Sequence, residues 1–215
     1  IRPADHLWGR GTRETDTRLK QELQDRKVQT AVIGQAGENR VLCANINISR
    51  HNFASRGGTG AVMGAKGLKA VAVRGSHTIR VEDEPGFKEL GKQIRRDIAE
   101  DGTANALHMF GTSGFVEGLD MAGMLGSMNF SRAGIEGAKR LGSQHVAEIG
   151  YFKGRKSCHS CPLGCHRLVR FDSKEYGVVD DVGPELESVM SLGAQCGTTE
   201  TEAVLMANYL CNDFG

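Results

Sequence analysis

The chain has no excess of one charge. Across 215 residues, 27 basic side chains face 26 acidic ones, for a formal net charge of +1. That balance gives no electrostatic reason to expect nucleic acid or an acidic membrane surface as a partner. Also absent is any apolar run approaching the ~20 residues needed to cross a bilayer, and no charged-then-apolar leader opens the sequence. Nor is there a spaced disulfide framework: three of the six cysteines are crowded together, a usage that suits a reducing compartment. The expectation is a cytoplasmic protein that works on a small molecule or another protein. The length allows one large or two small domains with real cores. An initiator Met is missing from Ile1, and no closing element follows the last amphipathic stretch before Gly215. The chain is therefore expected to be an internal piece of a longer protein, inactive in isolation.

The cysteines that are present cluster as Cys158-His-Ser-Cys161-Pro-Leu-Gly-Cys165-His166. Thiolates this close repel one another and oxidise readily, so a fold that keeps them together needs a compensating cation. The Cys-x-x-Cys-x-x-x-Cys spacing aims three sulfurs at one centre, as an iron–sulfur cluster requires, and Pro162 and Gly164 let the backbone turn around it. A fourth ligand is lacking. A zinc knuckle could take it from His159 or His166, whereas a four-iron cluster would draw on a distant cysteine, of which Cys43, Cys196 and Cys211 remain. Unliganded thiols or a redox pair are the other alternative.

Along the chain, residues 13–26 read as a short polar helix. Residues 28–33 and 41–48 are β-rich runs joined by a turn at Gly34–Asn39, and 69–73 and 79–81 look like two further strands. The character then changes. Asp83 can cap a helix with Pro85 in its first turn, and Phe87, Leu90, Ile94 and Ile98 recur at helical spacing. Residues 133–149 and 184–196 are further helical candidates, and Thr199-Glu-Thr-Glu202 is a capping box opening a last helix through Cys211. Residues 109–131, rich in Gly, Met and Phe, read as a loop that lines a site or fills space between helices. The pattern implies an α+β protein, with a β-rich domain over 1–82 and a mainly helical domain over 83–215.

Arg56-Gly57-Gly58-Thr59-Gly60-Ala-Val-Met63-Gly64-Ala65-Lys66-Gly67 lies between strand candidates. It is not a Walker A loop, since no Ser or Thr follows Lys66, and it is not the dinucleotide fingerprint, since the glycine spacing is one residue too long. Exposed amides flanked by Arg56 and Lys66 still suit phosphate, against the alternative of a purely structural tight loop. In Gly183-Pro184-Glu185-Leu186-Glu187, two carboxylates open a helix, either to stabilise its first turn or to serve as acid/base or substrate-orienting groups.

Taken in order, Leu7-Trp8-Gly9, Ala31-Val-Ile-Gly34-Gln-Ala-Gly37-Glu38-Asn39, the stretch from Arg56 to Gly75, Cys158 to Cys165 and Gly183 to Glu187 make the chain resemble the tungsten-containing aldehyde:ferredoxin oxidoreductase family. The resemblance implies part of a β-rich domain that cradles tungsten or molybdenum held by two pterins, followed by the first part of a helical cover. It assigns Arg56, Gly57, Gly58 and Gly60 to the pterin phosphates and a bridging magnesium. Cys158, Cys161 and Cys165 become ligands of a four-iron four-sulfur cluster whose fourth cysteine lies past Gly215. A glutamate near the metal is expected, Glu187 ahead of Glu185. Asn212-Asp213-Phe214-Gly215 occupies the place of a pterin-contacting Asp-x-x-Gly stretch, with Asn departing from the pattern at its first position. Met206-Ala-Asn-Tyr209 replaces a Glu-x-x-His pair that in some relatives bridges a dimer through a metal, so no bridging metal is expected, and a homodimer is left open. The implied activity is oxidation of an aldehyde to its carboxylic acid, with electrons passing through the cluster to ferredoxin or a similar acceptor. The alternatives are the same cofactors with another reaction, such as aryl thioester reduction, or a non-catalytic electron-transfer or zinc module.

Overall fold

The computed structural model describes residues 1–215, which divide into two units: residues 1–78 with 210–215, and residues 79–209. The first is built on a four-stranded antiparallel sheet. Its elements are α1 (Thr12–Glu22), β1 (Gln29–Val32), α2 (Gln35–Glu38), β2 (Ile46–Ile48), β3 (Asn52–Ala54), α3 (Thr59–Ala65) and β4 (Ala70–Val73). β1 is central, pairing Ala31 with Ile48 on one side and with Val71 on the other. Its alternate residues Thr30 and Val32 are buried, as a period of two demands. α1 is tied to this strand through a buried carboxylate: Asp16 accepts from the Thr30 hydroxyl at 2.5 Å and from Lys20 one helical turn on.

Three expectations fail, two in this unit and one at the start of the next. The segment 34–39 is not a plain turn but contains α2, and of the β-rich run 41–48 only 46–48 is strand, because 41–44 closes a turn with Ala44 N–H bonded to Val41 O. No strand forms at 79–81, where the residues are exposed and without a ladder partner to satisfy their backbone.

The second unit opens with α4 (Glu84–Glu100), capped as expected by Asp83, whose side chain accepts from Gly86 N–H. α5 (Gly102–Phe110), α6 (Val116–Met121), β5 (Gly126–Ser127), β6 (Arg132–Ala133), α7 (Ser143–Glu148), β7 (Phe152–Lys156), β8 (His166–Ser173), β9 (Gly177–Val182), α8 (Leu186–Val189) and α9 (Thr201–Phe214) follow, the end of α9 from Leu210 on belonging to the first unit. A π turn at Met190–Ala194 interrupts the expected 184–196 helix. The loop expected at 109–131 instead holds α6 and a short β-ribbon. This unit is thus more mixed than "mainly helical": β7, β8 and β9 form a three-stranded antiparallel sheet that the pattern reading passed over. Its signal is the alternation Arg167, Val169, Phe171, all buried. That face packs with Val146, Val179 and Leu205, while a separate core gathers Val116, Leu125, Leu141, Val189 and Val204. The fold class is α+β. No helix is long and apolar enough to cross a membrane.

Candidate functional site

The glycine loop and the cysteine loop lie in different units, and each is assembled by its own local physics. In the first unit the loop between β3 and β4 turns through Gly57 (φ +79°) and Gly58 (φ +64°) into α3. Much of its glycine content answers to packing. A Cβ on Gly58 would stand 2.4 Å from Leu42 O, one on Gly60 2.3 Å from Asn45 O, and one on Gly64 1.9 Å from Gly37 O. α2 and α3 therefore cross backbone against backbone. Gly57 is different: nothing lies within 4 Å of its Cβ position, and it is exposed beside exposed Arg56. Lys66 is also exposed, at the C-terminal end of α3.

In this unit three polar atoms are buried without a protein partner: Gln35 Oε1, Asn45 Oδ1 and Arg50 Nε. Buried polar groups in proteins are nearly always satisfied, so this unit keeps hydrogen-bonding capacity for a polar ligand. Gln35 Oε1 and Asn45 Oδ1 are acceptors and Arg50 Nε is a donor, a mixed set that fits a ligand with both N–H and acceptor atoms. The unit is braced beneath by Lys69, which is 1% exposed. Its ammonium donates to Arg10 O at 2.8 Å and makes a short ion pair with Glu38. Both Glu38 oxygens accept from Gly9 N–H at 2.9 Å. Burial pushes the Lys69 ammonium below its ordinary value, and Glu38 pulls it back.

Asn212 and Asp213 have defined structural tasks in this unit. Asp213 Oδ1 accepts from Arg13 N–H at 3.0 Å in the first turn of α1, where a carboxylate relieves the orphan donors of a helix start, and the Thr12 hydroxyl donates to Asn212 O at 2.8 Å. Gly11 leaves room for that carboxylate, since a Cβ there would meet Asp213 Oδ2 at 2.2 Å.

In the second unit, Cys158, Cys161 and Cys165 all sit in the hairpin loop between β7 and β8, closed by the Lys156–His166 pair. Cys161 N–H bonds to Cys158 O at 3.1 Å, and left-handed Ser160 (φ +57°) and Gly164 (φ +58°) carry the turn. Burial pushes the Cys165 thiol up, reinforced by the charges of Glu185 and Cys158. His166 Nε2 lies 3.7 Å from Cys158 Sγ. No set of three or more His, Cys, Asp or Glu side chains converges tightly enough to hold a single metal ion. An iron–sulfur cluster asks for something else, one thiolate on each of several irons, and three soft sulfur donors spread around one loop fit that chemistry.

Glu185 and Glu187 are brought to unlike places. Glu185 is half-buried and accepts a short hydrogen bond from the Thr112 hydroxyl, which in turn accepts from Leu186 N–H at 2.9 Å. Glu187, in the first turn of α8, is exposed. The segment 126–130 contains three successive left-handed residues, Met128, Asn129 and Phe130. Its backbone is pinned by Met128 N–H to Ala194 O and Asn129 N–H to Gln195 O. Residues that pattern reading did not single out include Lys69, Thr112 and Arg167; of these only Arg167 carried a signal, its inward place in the alternation of β8.

The model of the aldehyde ferredoxin oxidoreductase N-terminal domain matches residues 1–75, and that of domains 2 and 3 matches residues 89–215. Tungsten-containing aldehyde ferredoxin oxidoreductases of Pyrococcus furiosus and Thermococcus kodakarensis are each 36% identical over the whole chain, which spans 35% of their length. An aliphatic sulfonate oxidoreductase WOR-like subunit of Pyrococcus furiosus is 26% identical, again over the whole chain and 36% of its own length. Among solved structures, the active site complex BamBC of benzoyl coenzyme A reductase, in complex with 1,5 dienoyl-CoA, superposes with a TM-score of 0.79 at 27% identity, covering the whole chain and 34% of that one. With both family models matched in order and identity above a third along its whole length, the chain belongs to the aldehyde ferredoxin oxidoreductase family.

Proposed function

We propose that this chain is the part of an aldehyde-oxidising enzyme that carries one face of a tungsten or molybdenum bis-pterin site and three ligands of a four-iron four-sulfur cluster. The observation that carries the reading is the cysteine hairpin, which gathers Cys158, Cys161 and Cys165 on the single loop between β7 and β8. The overall reaction is RCHO + H2O to RCOOH with two protons and two electrons released. A C–H bond breaks, a C–O bond forms to water oxygen, and two one-electron acceptors of the ferredoxin type are reduced. When bound, the metal–pterin group supplies the two-electron oxidation and the cluster supplies one-electron transfer.

The protein's own groups do the holding and the proton work. Arg56 and the open amide at Gly57 would hold the pterin phosphates, with Lys66 adding positive charge and a magnesium ion sharing the phosphate charge, while Gly58 and Gly60 let the chain's own carbonyls pack behind the loop. Cys158, Cys161 and Cys165 hold the cluster. Glu187, exposed and uncommitted to Thr112, takes the proton from water or from the hydrated substrate, while Glu185 stays fixed as a hydrogen-bond acceptor. Asn212 and Asp213 act by seating α1 in the pterin-binding unit.

The decisive experiment is elemental analysis of the whole protein, purified without oxygen, for iron, zinc, tungsten and molybdenum. About four irons with one tungsten or molybdenum per chain is expected; zinc alone would refute the reading. The structural likeness to the benzoyl coenzyme A reductase complex favours a second reading, reduction of an aromatic thioester with the same cofactors. Parallel assays with aldehydes and with aryl-CoA thioesters separate the two.

A further inference from the structure

Arg167 is the most heavily engaged side chain in the second unit, yet it has no part in the reading above. It lies on β8 two residues after Cys165, points inward with Val169 and Phe171, and is 4% exposed. Its guanidinium spends its donors on four backbone carbonyls: Nε to Cys165 O at 3.2 Å, Nη1 to Met109 O at 2.8 Å, and Nη2 to His108 O at 3.1 Å and to Gly164 O at 2.5 Å. Two of these belong to the last turn of α5, where orphan carbonyls and the negative end of the helix dipole favour a cation. The other two belong to the cysteine loop. A planar fork with fixed donor directions can bridge two such pairs, whereas an ammonium on a flexible stem cannot.

The surroundings are built around this contact. His108 donates from Nδ1 to Leu163 O at 2.6 Å, stitching the same helix end to the same loop. Gly111 closes on the loop so tightly that a Cβ would stand 2.7 Å from Cys165 O. The Phe152 ring lies 5.5 Å from the guanidinium carbon and shields it from water. Burial draws the Arg167 cation below its ordinary value, with Arg155 acting in the same sense and Cys165 and Glu185 opposing both. The guanidinium is a permanent cation, 4% exposed and bonded to Cys165 O at 3.2 Å, so a buried positive charge stands beside the cysteine loop.

We propose that Arg167 is a positioning residue of the iron–sulfur site: its guanidinium fork clamps the Gly164–Cys165 backbone to the end of α5, and its charge stabilises the reduced form of the cluster held by Cys165. This rests on the assignment of Cys158, Cys161 and Cys165 to a cluster. Two consequences are separable because R167K removes the fork alone whereas R167Q removes fork and charge together, so the difference in potential between the two variants reports the charge. R167K keeps the charge but loses the fork, so iron is lost to a chelator faster than from wild type while the reduction potential stays close to the wild-type value. R167Q keeps neutral donors but loses the charge, so the cluster becomes harder to reduce and its potential moves in the negative direction. Outer partners of metal ligands commonly change metal affinity by about 10–100-fold when removed, and a loss of that order is expected for R167K.

The test is iron and acid-labile sulfide per chain in anaerobically purified whole protein, chelator challenge, and a redox titration followed by electron paramagnetic resonance. Wild type without iron would refute the cluster assignment and this inference with it. Iron-replete wild type, together with R167K that holds iron as firmly as wild type, would overturn the clamp alone. R167Q with an unshifted potential would overturn the charge effect alone. Should R167Q bind no iron, the charge effect is judged on R167M reconstituted with iron and sulfide, where the same negative shift is required.

Discussion

The two loops that carry the candidate chemistry reach their shapes by opposite means. The glycine loop is shaped by what its residues lack: Gly58, Gly60 and Gly64 let α3 lie directly against the carbonyls of Leu42, Asn45 and Gly37. The cysteine loop is shaped by what a neighbour provides, since Arg167 and His108 donate into the carbonyls of Leu163, Gly164 and Cys165 from outside. A loop held by absences tolerates almost no added atom. A loop held by backbone carbonyls tolerates changes in its own side chains, which leaves its cysteines free to be chosen for ligation.

Breaking the brace under the glycine loop should have the largest effect. Lys69→Met leaves Glu38 buried without its partner cation, and removal of one member of a buried pair destabilises by about 3–5 kcal/mol. Denaturant unfolding of the first unit's signal would register it, and an unchanged midpoint would mean that Gly9 N–H alone satisfies Glu38. Gly64→Ala comes next. Its Cβ would meet Gly37 O at 1.9 Å, and overpacking of this kind typically costs about 1–3 kcal/mol, read as a lowered melting temperature. Gly57→Ala sharpens the contrast within the same loop. With no clash to relieve, only the left-handed backbone is penalised, by about 1–2 kcal/mol, and pterin content should respond more than stability does.

The smallest effects on stability belong to the side chains assigned to chemistry. Cys158→Ser should leave the fold of the second unit intact by circular dichroism while abolishing iron uptake; a loop that unfolds instead would show that the thiols, and not the carbonyl clamp, hold it. Glu187→Gln, at an exposed helix position, should change stability by less than about 0.5 kcal/mol while lowering turnover by roughly 10²–10⁴-fold if it moves the proton. Normal turnover in Glu187→Gln beside a collapse in Glu185→Gln would transfer the role to Glu185.

How much of this was legible depended on whether the signal was local. α4 could be read because an Asp cap, a first-turn Pro and an apolar repeat all lie within one segment. The hairpin of β7 and β8 was obscured because the cysteine motif interrupts it, and β9 follows after a turn too short to register as a break. Residues 79–81 have strand composition but no neighbouring strand to pair with. The glycine loop illustrates the same limit on function. Its composition announces close backbone approach, but whether the approaching atoms are a ligand's phosphates or the chain's own carbonyls depends on which segments meet there. Only the structure separates Gly57, which is open, from Gly58, Gly60 and Gly64, which are filled.

What the sequence determined by itself was the chemistry on offer: three soft donors at cluster spacing, a cationic glycine loop, paired carboxylates at a helix start, and the ordered motifs that mark the family. These are properties of residue type and short spacing, so they survive without coordinates. What the tertiary structure alone decided was which groups are already committed. Asp213 caps α1 from a distance of some two hundred positions along the chain, Thr112 engages Glu185, and Arg167 locks the cysteine loop to α5. Each is a long-range hydrogen bond whose partners are close only because apolar burial elsewhere has brought their elements together, and no local pattern encodes that meeting.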